Sequence, residues 1–112
     1  MKLAFGVCVV VAGILGMVDA HAKESRFVEK AKKNHCYECH RLNEQFIGPS
    51  FLQIKERYKE QINNKEFVDY MANKIIHGGG GAWGPTPMNS HPDMSKTEAR
   101  EIVKLLLKLE AQ

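Results

Sequence analysis

Residues 36–40 bring together three side chains that can bind metals or form covalent bonds. They read Cys-Tyr-Glu-Cys-His, so Cys36 and Cys39 are three positions apart and His40 follows directly. This spacing matches the attachment motif of c-type haem. Positions i and i+3 of a helix share one face, so both thiols can form thioethers with the two vinyl groups at one porphyrin edge. The pattern predicts one covalently bound haem c, with His40 as proximal iron ligand.

Two other interpretations of the motif stay open at this point. A thioredoxin-like dithiol would need a βαβ context, which the sequence does not indicate. A structural zinc site would need a fourth ligand besides Cys36, Cys39 and His40, and His77 or His91 could supply it. The signs of export and of a small all-helical domain favour haem over both.

The sixth ligand of the iron must come from elsewhere, and Met88 is the best candidate. It ends the stretch Gly84-Pro85-Thr86-Pro87-Met88, whose prolines stiffen the backbone. A stiff loop can hold a weak thioether ligand without a large loss of entropy on binding. The alternatives are His77, His91, Met71 and Met94.

The first 22 residues have the character of a secretory signal peptide. Lys2 supplies a positive start, residues 3–18 are apolar apart from small glycines, and Ala20-His21-Ala22 gives a small-x-small cleavage pattern. The apolar run of about 16 residues is shorter than the roughly 20 that span a bilayer, although a membrane anchor is the competing interpretation. We expect cleavage after Ala22, a domain over residues 23–112, and a soluble periplasmic product without stable membrane insertion.

The remaining 90 residues carry 15 Lys and Arg against 12 Asp and Glu. A net charge near +3 without a basic run interleaved with aromatics does not indicate a nucleic-acid partner. A domain this small usually needs a staple such as a metal or disulfide. A disulfide between Cys36 and Cys39 would close too short a loop to constrain the chain much.

Hydrophobic periodicity predicts an all-α chain of about four helices, with no strand-like alternation. The first is expected from about Ser25, as its N-cap, to His35, and the second from near Pro49. The third is expected from Asn63, in a capping arrangement with Glu66, until Gly78. The fourth is expected to start at a Ser95 to Glu98 capping box. The predicted buried positions are Phe27 and Ala31; Phe51, Ile54 and Tyr58; Phe67, Met71 and Ile75; and Ala99, Ile102, Val103, Leu106 and Leu109.

Three motifs in this order resemble the small bacterial class I cytochromes c of the c551/c552 group, also called c8. The likeness covers essentially all of residues 23–112. The motifs are Lys33-Asn34-His35-Cys36-Tyr37-Glu38-Cys39-His40, Ile47-Gly48-Pro49-Ser50-Phe51 and Gly81-Ala82-Trp83-Gly84-Pro85-Thr86-Pro87-Met88.

The resemblance implies a class I cytochrome c fold, with the first and last helices packed across each other around one haem. It also implies that the Pro49 carbonyl accepts from the proximal histidine, that Trp83 hydrogen-bonds a haem propionate, and that Lys74 lies near the same propionate. The chain departs from the pattern at Asn89-Ser90, where many members have prolines.

These expectations describe a one-electron carrier of the respiratory chain rather than an enzyme. Its partners would be redox proteins, a donor and an acceptor such as a terminal oxidase, a nitrite reductase or a peroxidase. The alternatives are a haem enzyme or gas sensor with a displaceable distal ligand, and a zinc or dithiol binding module.

Overall fold

The computed structural model describes Gly6 and residues 12–110, with side chains from Asp19 onward. In this part the helices are α1 (Ala12–Lys33), α2 (Phe51–Tyr58), α3 (Lys65–His77) and α4 (Lys96–Leu107), with short 3-10 turns at Cys36–Glu38 and Lys59–Gln61. In the described part of the chain, an isolated β-bridge joins Gly79 to Met88. The predicted all-α architecture of four helices is confirmed.

The described residues omit 1–5 and 7–11, so ten of the 22 residues of the predicted signal peptide lie outside them. Its last part is the beginning of α1, which runs without a break through Ala22. Ser25 is therefore inside a helix, and its expected role as an N-cap is wrong. No helix in the described part of the chain is long and apolar enough to cross a membrane.

Helices α2 and α3 begin at polar caps that satisfy their first backbone amides. Ser50 forms a full capping box with Gln53: its hydroxyl accepts from the Gln53 amide at 3.0 Å, while the Gln53 side chain accepts from the Ser50 amide at 2.8 Å. Asn64, not the expected Asn63, caps α3 by accepting from the Phe67 amide at 3.1 Å. Both helices start within a residue or two of the predicted positions.

Helix α4 supplies most of the hydrophobic core. Four of the five predicted core positions of this segment lie on α4 and are buried, with Ala99 and Val103 fully inaccessible. The fifth, Leu109, is also buried but lies two residues beyond the end of the helix. Phe27 and Ala31 of α1 pack into the same core. On α3 the buried residues are Val68 and Ala72, one position beyond the predicted stripe. Met71 and Ile75 pack at the edge of the core and Phe67 is half-buried.

A polar network holds α1 across α4 beside this core. The Lys30 ammonium lies 3.0 Å from Glu98 and 3.4 Å from Glu101. Arg26 donates to Glu101 at 2.9 Å, and Asn34 donates to Glu98 at 3.5 Å. The expected crossing of the first and last helices is therefore fixed by charge as well as by apolar packing.

Candidate haem-binding site

The two cysteines lie on a tight turn directly after α1. His35 adopts a left-handed conformation with φ of 63°, which ends the helix and redirects the chain. Residues Cys36–Glu38 then form a 3-10 turn, in which the amides of Cys39 and His40 donate to the Cys36 carbonyl at 3.2 and 3.0 Å. Side chains at i and i+3 eclipse in 3-10 geometry. The turn therefore presents both thiols on one side of the backbone.

Neither cysteine forms a disulfide. Burial among apolar groups raises the pKa of the Cys36 thiol to about 11. Cysteines of redox-active dithiol motifs have lowered pKa values instead, because the thiolate is their reactive form. The surroundings of Cys36 are thus those of a packed residue.

Arg41 ties the turn to the loop that follows, a role that the sequence analysis missed. Its guanidinium donates to the carbonyl oxygens of Tyr37 and His40, the latter at 3.0 Å. The same group lies 4.2 Å from the centre of the Phe46 ring. The sequence shows an arginine directly after the motif, but neither its carbonyl partners nor its contact with the Phe46 ring can be inferred from the spacing.

The His40 imidazole is held in one orientation by residues 48–51. Its Nδ1 lies 2.6 Å from the Pro49 carbonyl oxygen, which can only accept, so Nδ1 carries the proton. A Cβ atom on Gly48 would lie 2.7 Å from His40 Cε1, so the residue before Pro49 has no space for a side chain. The Phe51 ring centre lies 5.3 Å from that of His40. This arrangement leaves the Nε2 lone pair of a buried imidazole available to a metal.

Met88 lies in the loop between α3 and α4, where the backbone doubles back on itself. The Gly79 amide donates to the Met88 carbonyl at 3.0 Å, and the Met88 amide donates to the Gly79 carbonyl at 2.8 Å. Gly78 has a φ of 70°, and a Cβ there would lie 2.5 Å from the Met88 carbonyl oxygen. The glycines after α3 therefore allow Met88 to lie directly beside the end of that helix.

His91 anchors the far end of this loop. Its Nδ1 donates to the Ile75 carbonyl at 2.9 Å, and its backbone amide donates to the Ile76 carbonyl at 2.9 Å. His91 thereby satisfies carbonyl groups near the end of α3, and its side chain is half-buried.

Trp83 lies at the tip of the loop and packs against α2. It is 42% exposed, its ring centre lies 6.3 Å from that of Tyr58, and the Arg57 guanidinium lies 4.4 Å from its ring. A groove of about 550 Å³ lies beside Trp83 and Arg57. Lys74 is half-buried, with its ammonium 3.8 Å from the position a Cβ would take on Gly79. The structure thus places Lys74 at the base of this loop and Trp83 at its tip.

The residues present fit a covalently attached haem. Two unpaired thiols follow each other on one side of a 3-10 turn, and next to them a buried imidazole keeps one nitrogen free. Within the described residues, no group of three or more His, Cys, Asp and Glu side chains is arranged to hold a metal ion. The chemistry of the donors, two thiols beside an imidazole, is that of c-type haem attachment.

Comparison with known proteins agrees with this geometry. Residues 28–110 match the family model described as Cytochrome c. The chain is 31% identical over 101 residues to cytochrome c-552 of Hydrogenobacter thermophilus, covering 90% of this chain and 93% of that protein. It is 34% identical over 79 residues to cytochrome c-551 of Azotobacter vinelandii, covering 70% and 92%.

A solved structure shows the same fold. The crystal structure of wild-type Nitrosomonas europaea cytochrome c552 superposes with a TM-score of 0.65 at 30% identity, over 74% of this chain and 99% of that one. The chain belongs to the cytochrome c family and is a small class I protein of the c551/c552 group. Its cofactor is one haem c, for which Cys36 and Cys39 have the attachment spacing, and it is a monohaem electron carrier. The family assignment replaces the zinc and dithiol interpretations of the motif.

Proposed function

We propose that this protein carries single electrons between respiratory redox proteins in the periplasm, on a haem whose iron is bound by His40 and Met88. The observation that carries the proposal is the fixed orientation of His40. Its Nδ1 proton is committed to the Pro49 carbonyl at 2.6 Å, so Nε2 is the nitrogen that faces a metal. Such a hydrogen bond also raises the basicity of a ligating imidazole.

Met88 is the best distal ligand among the candidates because the others have different roles. Met71 and Met94 pack against the hydrophobic core. His77 is an exposed residue of the last turn of α3. His91 is fixed against that helix end by its Nδ1 and its backbone amide, and its free Nε2 makes it the remaining alternative. Met88 is anchored through its backbone, by the pair of hydrogen bonds to Gly79, so its side chain is not needed to hold it in place.

Ligation by histidine and methionine suits electron transfer rather than chemistry at the iron. A thioether ligand raises the reduction potential relative to two histidines, and a six-coordinate iron has no open position for a substrate or gas. The protein's contribution is to keep both ligands in place in either oxidation state. A non-enzymatic role follows from this ligand set.

The partner proteins and the cellular location are inferred from the family and from the predicted signal peptide. An exported carrier of this family would accept electrons from a respiratory donor and deliver them to a terminal oxidase, nitrite reductase or peroxidase. The predicted signal peptide over residues 1–22 supports a periplasmic location.

Replacing Met88 by leucine tests the distal ligand, because leucine keeps the volume and removes the sulfur. We expect the ferric Met88→Leu protein to lose the weak far-red band of sulfur-to-iron charge transfer. The reduction potential should fall, and the ferrous iron should bind carbon monoxide readily. The matched control is Met94→Leu, which removes a core sulfur and should keep the band. The measurements are absorbance spectra and a redox titration.

Two results would contradict this proposal in different ways. If Met88→Leu kept the far-red band and still excluded carbon monoxide, another residue would be the distal ligand. If the unmodified ferrous protein bound carbon monoxide rapidly, the iron would have an open or displaceable position, and a haem enzyme or gas sensor would replace the electron carrier.

A further inference from the structure

The tip of the loop that carries Met88 is held against α2 by the Arg57 side chain, beside the edge contact between Trp83 and Tyr58. Arg57 donates to the Ala82 carbonyl at 2.8 Å. Its guanidinium also lies 4.4 Å from the centre of the Trp83 ring and 5.4 Å from that of Tyr58. The Arg57 guanidinium thus contacts the backbone of Ala82 and the ring of Trp83, two consecutive residues of the loop.

These contacts complement the hydrogen bonds at the base of the loop. The base is closed where Gly79 and Met88 exchange two backbone hydrogen bonds. Between the tip and Met88 the chain contains Pro85 and Pro87, each of which fixes its own φ angle. A stiff connection transmits a displacement of the tip to Met88 more fully than a flexible one would.

We propose that Arg57 is a positioning residue for Met88: it holds the Ala82–Trp83 tip against α2 and so limits how readily an outside ligand displaces Met88 from the iron. This inference rests on the proposed ligation by His40 and Met88. Displacing Met88 requires the loop to move away from α2, which breaks the Arg57 hydrogen bond and its contact with Trp83. The Arg57 contacts therefore stabilise the ligated arrangement relative to the displaced one.

The chemistry of arginine suits this role better than that of lysine. A guanidinium is planar, stacks on an aromatic face and still has N–H groups left to donate to a carbonyl. A lysine ammonium can keep the attraction to the Trp83 ring but is a point charge without a stacking plane. Arg57→Lys should therefore retain part of the effect and Arg57→Gln almost none.

The test is imidazole binding to the ferric holo-protein, followed by stopped-flow absorbance as imidazole displaces the methionine. We expect Arg57→Gln to raise the association rate by about five- to tenfold, the effect of losing one exposed hydrogen bond and one exposed cation–π contact, each near the low end of its usual range. Arg57→Lys should lie between Arg57→Gln and the unmodified protein. The control, Lys55→Gln, removes one positive charge from the same helix and should leave the rate unchanged.

The outcomes separate this inference from the proposed function. An Arg57→Gln rate equal to that of the unmodified protein, with the far-red band present in both, would overturn the role of Arg57 and leave the Met88 ligand intact. A rise of equal size in Lys55→Gln would also overturn it, because the effect would then be one of net charge. An unmodified protein without the far-red band would instead refute the ligation itself. Far-UV circular dichroism checks that each variant is folded. If Arg57→Gln is not folded, the rate measured for Arg57→Lys still decides the test.

Discussion

Gly48 lies against the imidazole of His40, and a side chain at this position would overlap the ring. A Cβ atom there would lie 2.7 Å from Cε1, 3.0 Å from Nδ1 and 3.3 Å from Nε2. A His40 ring moved by such a contact would lose its short hydrogen bond to Pro49. The orientation of His40 therefore depends on the absence of a side chain at Gly48 as much as on the hydrogen bond to Pro49.

Replacing Gly48 by alanine should displace His40 and lower stability by about 1–3 kcal/mol, the usual effect of adding a methyl group where there is no space. A displaced His40 ring should also present its imidazole plane to the haem in a different orientation. Denaturant unfolding measures the first effect, and the hyperfine-shifted NMR signals of the ferric protein measure the second. Gln45→Ala, at an exposed position of the same loop, is the control. Unchanged hyperfine shifts in Gly48→Ala would show that His40 is not fixed by this contact.

The local spacing of the haem attachment motif could be predicted from the sequence, but the contacts between distant segments of the site could not. The spacing of Cys36, Cys39 and His40 is local, so its consequence for the turn can be read without a structure. Arg41 and Arg57 were missed because their partners are backbone carbonyls and aromatic rings brought close only by the fold. No pattern in the sequence distinguishes them from the other basic residues on the surface.

At the scale of the helices, the crossing of α1 and α4 explains why one expected cap formed only in part. The Ser95 hydroxyl accepts from the Glu98 amide at 3.1 Å, as a capping box requires. The Glu98 carboxylate, however, accepts from Lys30 of α1 at 3.0 Å and from Asn34, the residue after the end of α1, at 3.5 Å. An ammonium from a neighbouring helix is a stronger partner for a carboxylate than a neutral amide, so tertiary contact replaced the local bond.

The pair between Lys30 and Glu98 predicts a stability that depends on pH. The Lys30 hydrogen bond lowers the pKa of Glu98, and the Glu98 hydrogen bond raises the pKa of Lys30. A lowered carboxyl pKa stabilises the folded protein above the unfolded pKa, and this contribution is lost as the pH falls through the folded value. We expect Glu98→Gln to be less stable than the unmodified protein by about 1 kcal/mol at pH 7, since the pair is only partly exposed.

The difference should shrink as the pH falls below the ordinary pKa of glutamate and vanish below the lowered pKa of the folded state, where Glu98 is itself protonated. It should shrink again above the ordinary lysine pKa, as Lys30 loses its proton. Urea unfolding at a series of pH values measures both limits. Glu56→Gln is the matched control, because Glu56 pairs only within its own segment, with Lys59, and is exposed. A stability difference that stayed constant from pH 3 to pH 7 would show that the Lys30 pair is not its origin.

At the scale of the whole molecule, the predicted fold was correct because each helix carries its own amphipathic pattern. The stripe on α4 identified the core, and Gly78 marked the end of α3 as expected. The start of α1 could not be predicted in the same way. Residues 12–24 contain no proline and no strong helix stop, so nothing local separates the predicted signal peptide from the helix that follows. On α3 the predicted buried positions began at Phe67, but the residues buried in the fold are Val68 and Ala72, one position further along.

The full chain should be processed and loaded with haem when it is produced in a bacterium that attaches c-type haem. We expect the purified protein to begin at Lys23, because Ala20-His21-Ala22 is the predicted cleavage pattern. Haem should remain on the polypeptide after denaturation and acid–acetone extraction, because thioethers resist both. Intact mass spectrometry and the spectrum of the extracted polypeptide measure the two expectations.

The double variant Cys36→Ala/Cys39→Ala serves as the control and should lose its haem on extraction. A purified protein that retained residues 1–22 would instead support the membrane-anchor interpretation of that segment. Haem that extracted freely from the unmodified protein would contradict attachment through the two cysteines.

The paired hydrogen bonds between Gly79 and Met88 also bear on how this protein can be re-engineered. They bring the two ends of residues 79–88 side by side, so the segment enters and leaves the rest of the fold at nearly one point. A segment with adjacent ends can be exchanged for another of matching span without moving the helices that flank it. Residues 79–88 can therefore be exchanged as one segment, and grafts from related cytochromes could change the loop around Met88 while the turn around His40, built from residues 36–51, stays as it is.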